Sequence, residues 1–225
     1  MGQWGVFSIL YVISTLWITP YVAEIYGRIP IEHNEHLKPA NSLTTWLNRQ
    51  YVTPELNEVL QEVSQRISKI NSTAEIHYLD ANFPFIDGFP LIPHLSHNDG
   101  KKVDLSLVYE DAKGHWSPLL KSRSGYGVFE IPVGDELNQP AICDQAGAKQ
   151  YNLAAYLSLG EINTELKWSK KWTKELMVKL CTDPRIGKIF LEPHLVNRMD
   201  LHYHKIRFHG CHAVRHDDHI HIQLK

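Results

Sequence analysis

Cysteine is scarce in this 225-residue chain, and its spacing is uninformative. Cys143, Cys181 and Cys211 form no Cys-x-x-Cys pair, which argues against a zinc finger. None of the three has a neighbourhood that marks a catalytic thiol. Runs of Lys and Arg are also missing, and the formal net charge is −2. That balance gives no reason to expect a nucleic-acid partner. No internal repeat or low-complexity tract interrupts the chain, so a single domain with a real core is expected, with room for one short extra segment. The most telling absence is local. From Met1 to Ala23 there is neither a charged side chain nor a histidine.

That uncharged stretch is rich in Val, Ile, Leu, Phe, Tyr and Trp from Trp4 to Thr19. About 20 apolar residues span a bilayer, and a signal-peptide core needs about 7–15. Tyr21-Val22-Ala23 is a poor cleavage site, so residues 1–26 read as an uncleaved signal anchor, with a cleaved signal as the second reading. Either way, the remainder is expected to work outside the cytoplasm. In such a compartment one disulfide with one thiol left over is an option, and three unpaired buried thiols are the other. A bond to Cys211 would brace the loop before the C-terminal tail. Residues 27–45, with their prolines and mixed charges, read as a linker, and His33-Asn34-Glu35-His36 within it as solvated. Residues 46–225 form the main domain.

Seven of the fourteen histidines lie between His202 and His221. The last ten residues, His216-Asp217-Asp218-His219-Ile220-His221-Ile222-Gln223-Leu224-Lys225, alternate in character. In a strand, His219 and His221 share one face while Ile220 and Ile222 share the other. Two imidazoles aimed the same way make half of a metal site. The segment Pro93 to Leu107 offers the other half: a polar loop turns at Gly100 and runs into an alternating strand from Val103 to Tyr109. His97 and Asp104 flank the turn. With one tail histidine they make an open His2Asp set, a donor pattern that zinc accepts with a position left for water.

The other elements suit an α+β fold, with helices on a mostly antiparallel sheet. Thr53 caps a helix with Pro54 in its first turn, and Leu56, Val59, Leu60, Val63, Ile67 and Ile70 follow at helical spacing. Strands are expected near Ala74–Leu79, Gly127–Pro132 and Ile186–Leu191. A second helix is expected over Asn163–Leu180, and a short helix or turn at Pro193–Met199. Lys121–Gly127 reads as a surface loop or the rim of a cleft.

Two motifs carry a family resemblance. Ser96-His97-Asn98-Asp99-Gly100-Lys101-Lys102-Val103-Asp104 resembles the Ser-His-x-x-Gly-x-x-Val-Asp segment of penicillin-insensitive murein endopeptidases. His216-Asp217-Asp218-His219-Ile220-His221 resembles their His-Asp-x-His-x-His signature. The wider group includes lysostaphin-type and D-Ala-D-Ala peptidases and the hedgehog signalling domain. The resemblance covers roughly Ile76 to the C-terminus. It implies a hedgehog/D-Ala-D-Ala-peptidase-like fold and one Zn2+ held by His97, Asp104 and His221. It also implies a catalytic His219 with His216 beside it, and His94 near the metal. The implied reaction is hydrolysis of peptidoglycan peptide cross-links, most simply the D-alanyl-diaminopimelate bond, in the periplasm and at the inner membrane. Lys101-Lys102 stands where a Leu-Asp pair is common in that family. A D,D-carboxypeptidase is the alternative enzyme, although its Glu-x-x-Trp-His motif is missing from His216–His221. A membrane-anchored metal- or cell-wall-binding module without catalysis is the alternative of a different kind.

Overall fold

The computed structural model describes residues 2–92 and 94–225, and all of their side chains except those of Lys149 and Gln150. Met1, in the expected anchor, and Pro93, at the start of the expected loop, lie outside the described residues. The chain begins with α1 (Gln3–Ile13), a π-helical turn over Ser14–Ile18, and α2 (Thr19–Ile25). Together they make one 23-residue helix whose most apolar 18-residue stretch has a mean hydropathy of 1.7. At ~1.5 Å per residue this is long enough to cross a bilayer, and most of its side chains are exposed. The segment that composition marks as a linker contributes β1 (Ile29–Pro30), β2 (Leu37–Pro39) and α3 (Ser42–Trp46), with Ile31 and Leu37 in the core. His36 Nδ1 bonds the Ala74 carbonyl and His33 Nε2 bonds the Tyr78 hydroxyl, so both histidines are tied to the sheet edge.

β3 (Tyr51–Val52) leads into α4 (Pro54–Ser68), capped as expected: Thr53 Oγ1 accepts from Leu56 N. β4 (Ile76–Tyr78), β5 (Lys102–Ser106), β6 (Tyr109–Glu110) and β7 (Trp116–Ser117) follow. α5 (Gln139–Gln145) and a 3-10 helix over Lys149–Leu157 come next. The rest is β8 (Lys167–Trp168), α6 (Lys170–Thr182), β9 (Ile186–Phe190), α7 (Pro193–Met199), β10 (Ile206–Arg207) and β11 (His219–Leu224).

Two expected elements differ. The second helix starts only at Lys170, where Ser169 caps it, because Asn163 adopts a left-handed backbone and Lys167–Trp168 pair with β6 instead. Gly127–Pro132 is not a strand. It is an irregular stretch whose Glu130 N–H donates to the Asp217 carbonyl at 2.8 Å.

The main sheet has the order β10-β9-β11-β5-β4-β2. Its centre, β9-β11-β5-β4, is antiparallel, and β10 and β2 join the edges in parallel. Along β5 and β11 the pleat sorts the side chains. Val103, Leu105, Ile220 and Ile222 enter one core with Leu56, Leu60, Leu176 and Leu180 of α4 and α6. Each such burial contributes ~1.5–3 kcal/mol. The opposite face of the same two strands carries Asp104, His219 and His221.

Cys143 and Cys211 form a disulfide across 68 residues, and Cys181 is buried and free. The bond ties α5 to the loop that precedes the tail. Closing a loop of this length stabilises the fold by ~4 kcal/mol in the chain-entropy account. Cys143→Ser is therefore expected to lower the unfolding free energy by ~2–4 kcal/mol in a denaturant titration. An unchanged midpoint would show that the loop is held by other contacts.

Candidate metal centre

The register of β5 against β11 builds the site. His221 lies directly opposite Asp104, and His219 opposite Ser106. The Asp104 backbone is clamped on its other side, donating to the Asp80 carbonyl and accepting from Leu79 N, each at 2.8 Å. Gly100 makes the turn that returns His97 to this strand. Its φ of +79° suits glycine, and a Cβ there would crowd Arg28 and Thr53 at 3.2 Å.

Three atoms converge. Asp104 Oδ1 lies 2.9 Å from His221 Nδ1 and 3.3 Å from His97 Nε2, and the two nitrogens are 3.0 Å apart. Donors at ~2.0–2.1 Å from a tetrahedral metal sit ~3.3 Å from one another, so these edges suit one ion. His97 Nδ1–H donates to the Ala81 carbonyl at 2.6 Å, which leaves the Nε2 lone pair for a metal. All three residues are buried.

A second group, His94, Asp104 and His219, shares the carboxylate. Here Asp104 Oδ2 is already engaged: Tyr126 O–H donates to it at 2.8 Å, and His94 Nδ1 lies 2.7 Å away. His219 Nε2 stands further off, at 3.8 Å. The first group is thus the better metal seat, and the second is its surround. The Nε2 atoms of His94 and His219 are buried without a protein partner, as expected of groups that face an ion, water or substrate.

Charge follows geometry. Burial by itself would raise the Asp104 carboxyl, but His97, His219, His94 and His221 outweigh it and hold it well below the usual carboxylate range. Burial pushes His221 down to about 4, which favours the neutral ring a metal requires. Burial also lowers His219, but Asp218 and Asp104 more than offset this and raise it to about 9. A dication beside Asp104 adds opposing charge and returns that imidazole towards its neutral form.

Of the two adjacent tail aspartates, Asp218 is the one that orients the His219 imidazole. Its Oδ1 accepts from His219 Nδ1 at 2.5 Å, and its Oδ2 accepts from Gly127 N at 2.6 Å. Asp217 turns away into an ion pair with Arg215. His216 does not join the cluster of donors. Its ring packs 4.8 Å from that of His219, and its backbone is tied to Glu192 in both directions. Burial holds it well below its ordinary value, hence neutral. His94, His216 and His221 line a cleft of about 580 Å³ together with Phe190, His209 and His212.

Tyr126 is the residue that sequence reading missed. The segment Lys121–Gly127 is not simply a surface loop, since Ser122 and Tyr126 are buried on either side of exposed Arg123 and half-buried Ser124. The Tyr126 hydroxyl accepts from Asp80 N while donating to Asp104. Its only sequence signal is the flanking pair Gly125 and Gly127, both at positive φ. A Cβ at Gly127 would lie 2.6 Å from the Ala154 carbonyl, so the close turn requires glycine.

No protein-family model matches this sequence, and no curated protein matches it significantly. The fold and the site therefore define the class: an α+β protein with an apolar N-terminal helix and a buried His/Asp group that can hold a metal ion.

Proposed function

We propose that the protein is a zinc-dependent peptidase of the murein endopeptidase type, with a hedgehog/D-Ala-D-Ala-peptidase-like domain, hydrolysing peptide cross-links of peptidoglycan outside the cytoplasm. The observation that carries the reading is the convergence of His97 Nε2, Asp104 Oδ1 and His221 Nδ1, with His219 Nε2 unpartnered beside them and a cleft leading in. Two nitrogens and one carboxylate oxygen favour zinc over magnesium or calcium, which prefer all-oxygen shells. A disulfide and an apolar N-terminal helix support an oxidising compartment at a membrane.

Bound zinc would polarise the scissile carbonyl and acidify a water. The chain's own residues do the rest. Asp218 holds the Nδ1–H of His219, so Nε2 carries the lone pair that takes the proton of the attacking water. Charged in this way, His219 sits to return the proton to the leaving amine. Tyr126 and His94 fix the second oxygen of Asp104, keeping its first oxygen turned to the ligand cluster. Neutral His216 forms part of the substrate wall.

The test is digestion of purified cross-linked muropeptide dimers, with products read by mass. Dimers are expected to fall to monomers, and a chelator is expected to stop this until zinc is returned. Intact dimers with bound zinc would overturn the peptidase reading in favour of a binding module. Release of a terminal D-Ala alone would move it to a carboxypeptidase.

A further inference from the structure

The N-terminal helix is not free of the domain. Thr15, Thr19 and Ala23, one stripe of it, are buried against the fold. The Tyr11 hydroxyl donates to the Trp46 carbonyl at 2.5 Å, and Asn48 Nδ2 reaches Thr15 Oγ1 at 3.4 Å. Just past the helix, buried Arg28 gathers the loop that follows β4. It donates to the carbonyls of Phe83 and Phe85, at 2.5 and 2.9 Å, and pairs with Asp87. This holds Ile86 and Phe89, both more than half exposed, beside Thr19 and Leu47 in one apolar hollow of about 340 Å³. Leu47 also borders a second hollow with Leu43 and Ile92. Ile92, in turn, lines the metal cleft. Exposed apolar side chains thus border each hollow from the helix to the mouth of the cleft, with the Arg49–Asp80 ion pair in the lining of the second.

We propose that the belt of Leu43, Trp46, Leu47, Ile86, Phe89 and Ile92 rests in the interface of a lipid bilayer, so that the metal cleft opens at headgroup level. The inference rests on the helix being a membrane segment, not on the peptidase reading. Helix length decides it. From Tyr11 to Ala23 the helix lies along the domain for ~18 Å. Beyond that contact the helix continues only from Leu10 back to its first turn at Gln3, ~12 Å, less than half of a ~30 Å hydrocarbon core. For the helix to enter the hydrocarbon deeper than that, the belt beside it must be carried to the lipid. Contiguous apolar patches of this kind are rare on water-facing surfaces, and Trp46 suits the interface. Continuity with a helix long and apolar enough to cross a membrane selects lipid over a second copy of the chain as the occupant.

Single-cysteine spin labels on the full-length protein in phosphatidylethanolamine/phosphatidylglycerol vesicles test it. Leu10→Cys reports the helix, Leu43→Cys and Phe89→Cys the belt, and Leu119→Cys an exposed apolar site outside it. The native sulfurs are bonded to each other or buried, so the label goes to the new thiol. Collisions with oxygen are expected to rise, and those with a water-soluble nickel chelate to fall, severalfold at 10, 43 and 89 relative to 119. Lipid contact at 10 with water exposure at 43 and 89 would overturn the belt while leaving the membrane helix standing. Water exposure at 10 as well would overturn both. Labels at 43 and 89 shielded from both reagents and coupled to each other between chains would assign the belt to a second copy and overturn the lipid assignment.

Discussion

Asp104→Ala is expected to strip the protein of its metal. Asp104 supplies the only carboxylate in the converging set, and its two oxygens do different work: Oδ1 faces His97 and His221, and Oδ2 takes the Tyr126 and His94 hydrogen bonds. Partners outside the ligand set are typically worth 10–100-fold in metal affinity, so loss of a ligand is expected to cost on the order of 100-fold or more. Stability falls as well, because the buried Tyr126 O–H and His94 N–H lose their acceptor, at ~1–3 kcal/mol each. Asp104→Asn separates the two effects. Its amide oxygen can still accept from Tyr126, so most of the fold stability is expected to survive while the metal is lost. Atomic emission on dialysed protein, beside a thermal melt, reads both. Full metal occupancy in Asp104→Ala would sink the assigned site.

His219→Ala carries the second large effect, and here the metal is expected to stay. His219 lies outside the tight set, 3.8 Å from the nearer Asp104 oxygen, while its Nδ1 is bound to Asp218. A positioned general base is worth typically 10²–10⁴-fold, so under the proposed peptidase function turnover on muropeptide dimers is expected to fall by ~10²–10⁴ with one equivalent of zinc retained. KM is expected to change little, because the cleft walls formed by His216, Phe190 and His212 remain. Loss of zinc together with activity would instead place the ion in the second group, on His94, Asp104 and His219. Asp218→Asn probes the same proton from behind: it weakens the hold on Nδ1–H and is expected to cost less than removing the ring.

Much of this was readable along the chain because its determinants are local. Strand periodicity puts His219 and His221 on one face with Ile220 and Ile222 on the other, and the pleat obeys it. Thr53 and Pro54 start α4 where capping chemistry says they should. The uncharged run at the N-terminus becomes a single apolar helix. These outcomes depend on neighbours three or four residues away, or two in a strand.

What only the tertiary structure decided depends on partners far apart in sequence. The sheet register that sets His221 opposite Asp104 joins residues more than a hundred positions apart, and no local pattern specifies it. The same holds for the choice of Asp218 over Asp217. They are adjacent residues with the same chemistry, separated only because Arg215 claims one and His219 with Gly127 claims the other. The pairing of Cys143 with Cys211 required knowing which loops meet. Tyr126 escaped notice because a tyrosine in a glycine-rich loop reads as surface until the fold buries its hydroxyl against a carboxylate. Short-range periodicity is written into the chain by backbone geometry, whereas the closing of this site is a property of the packed sheet.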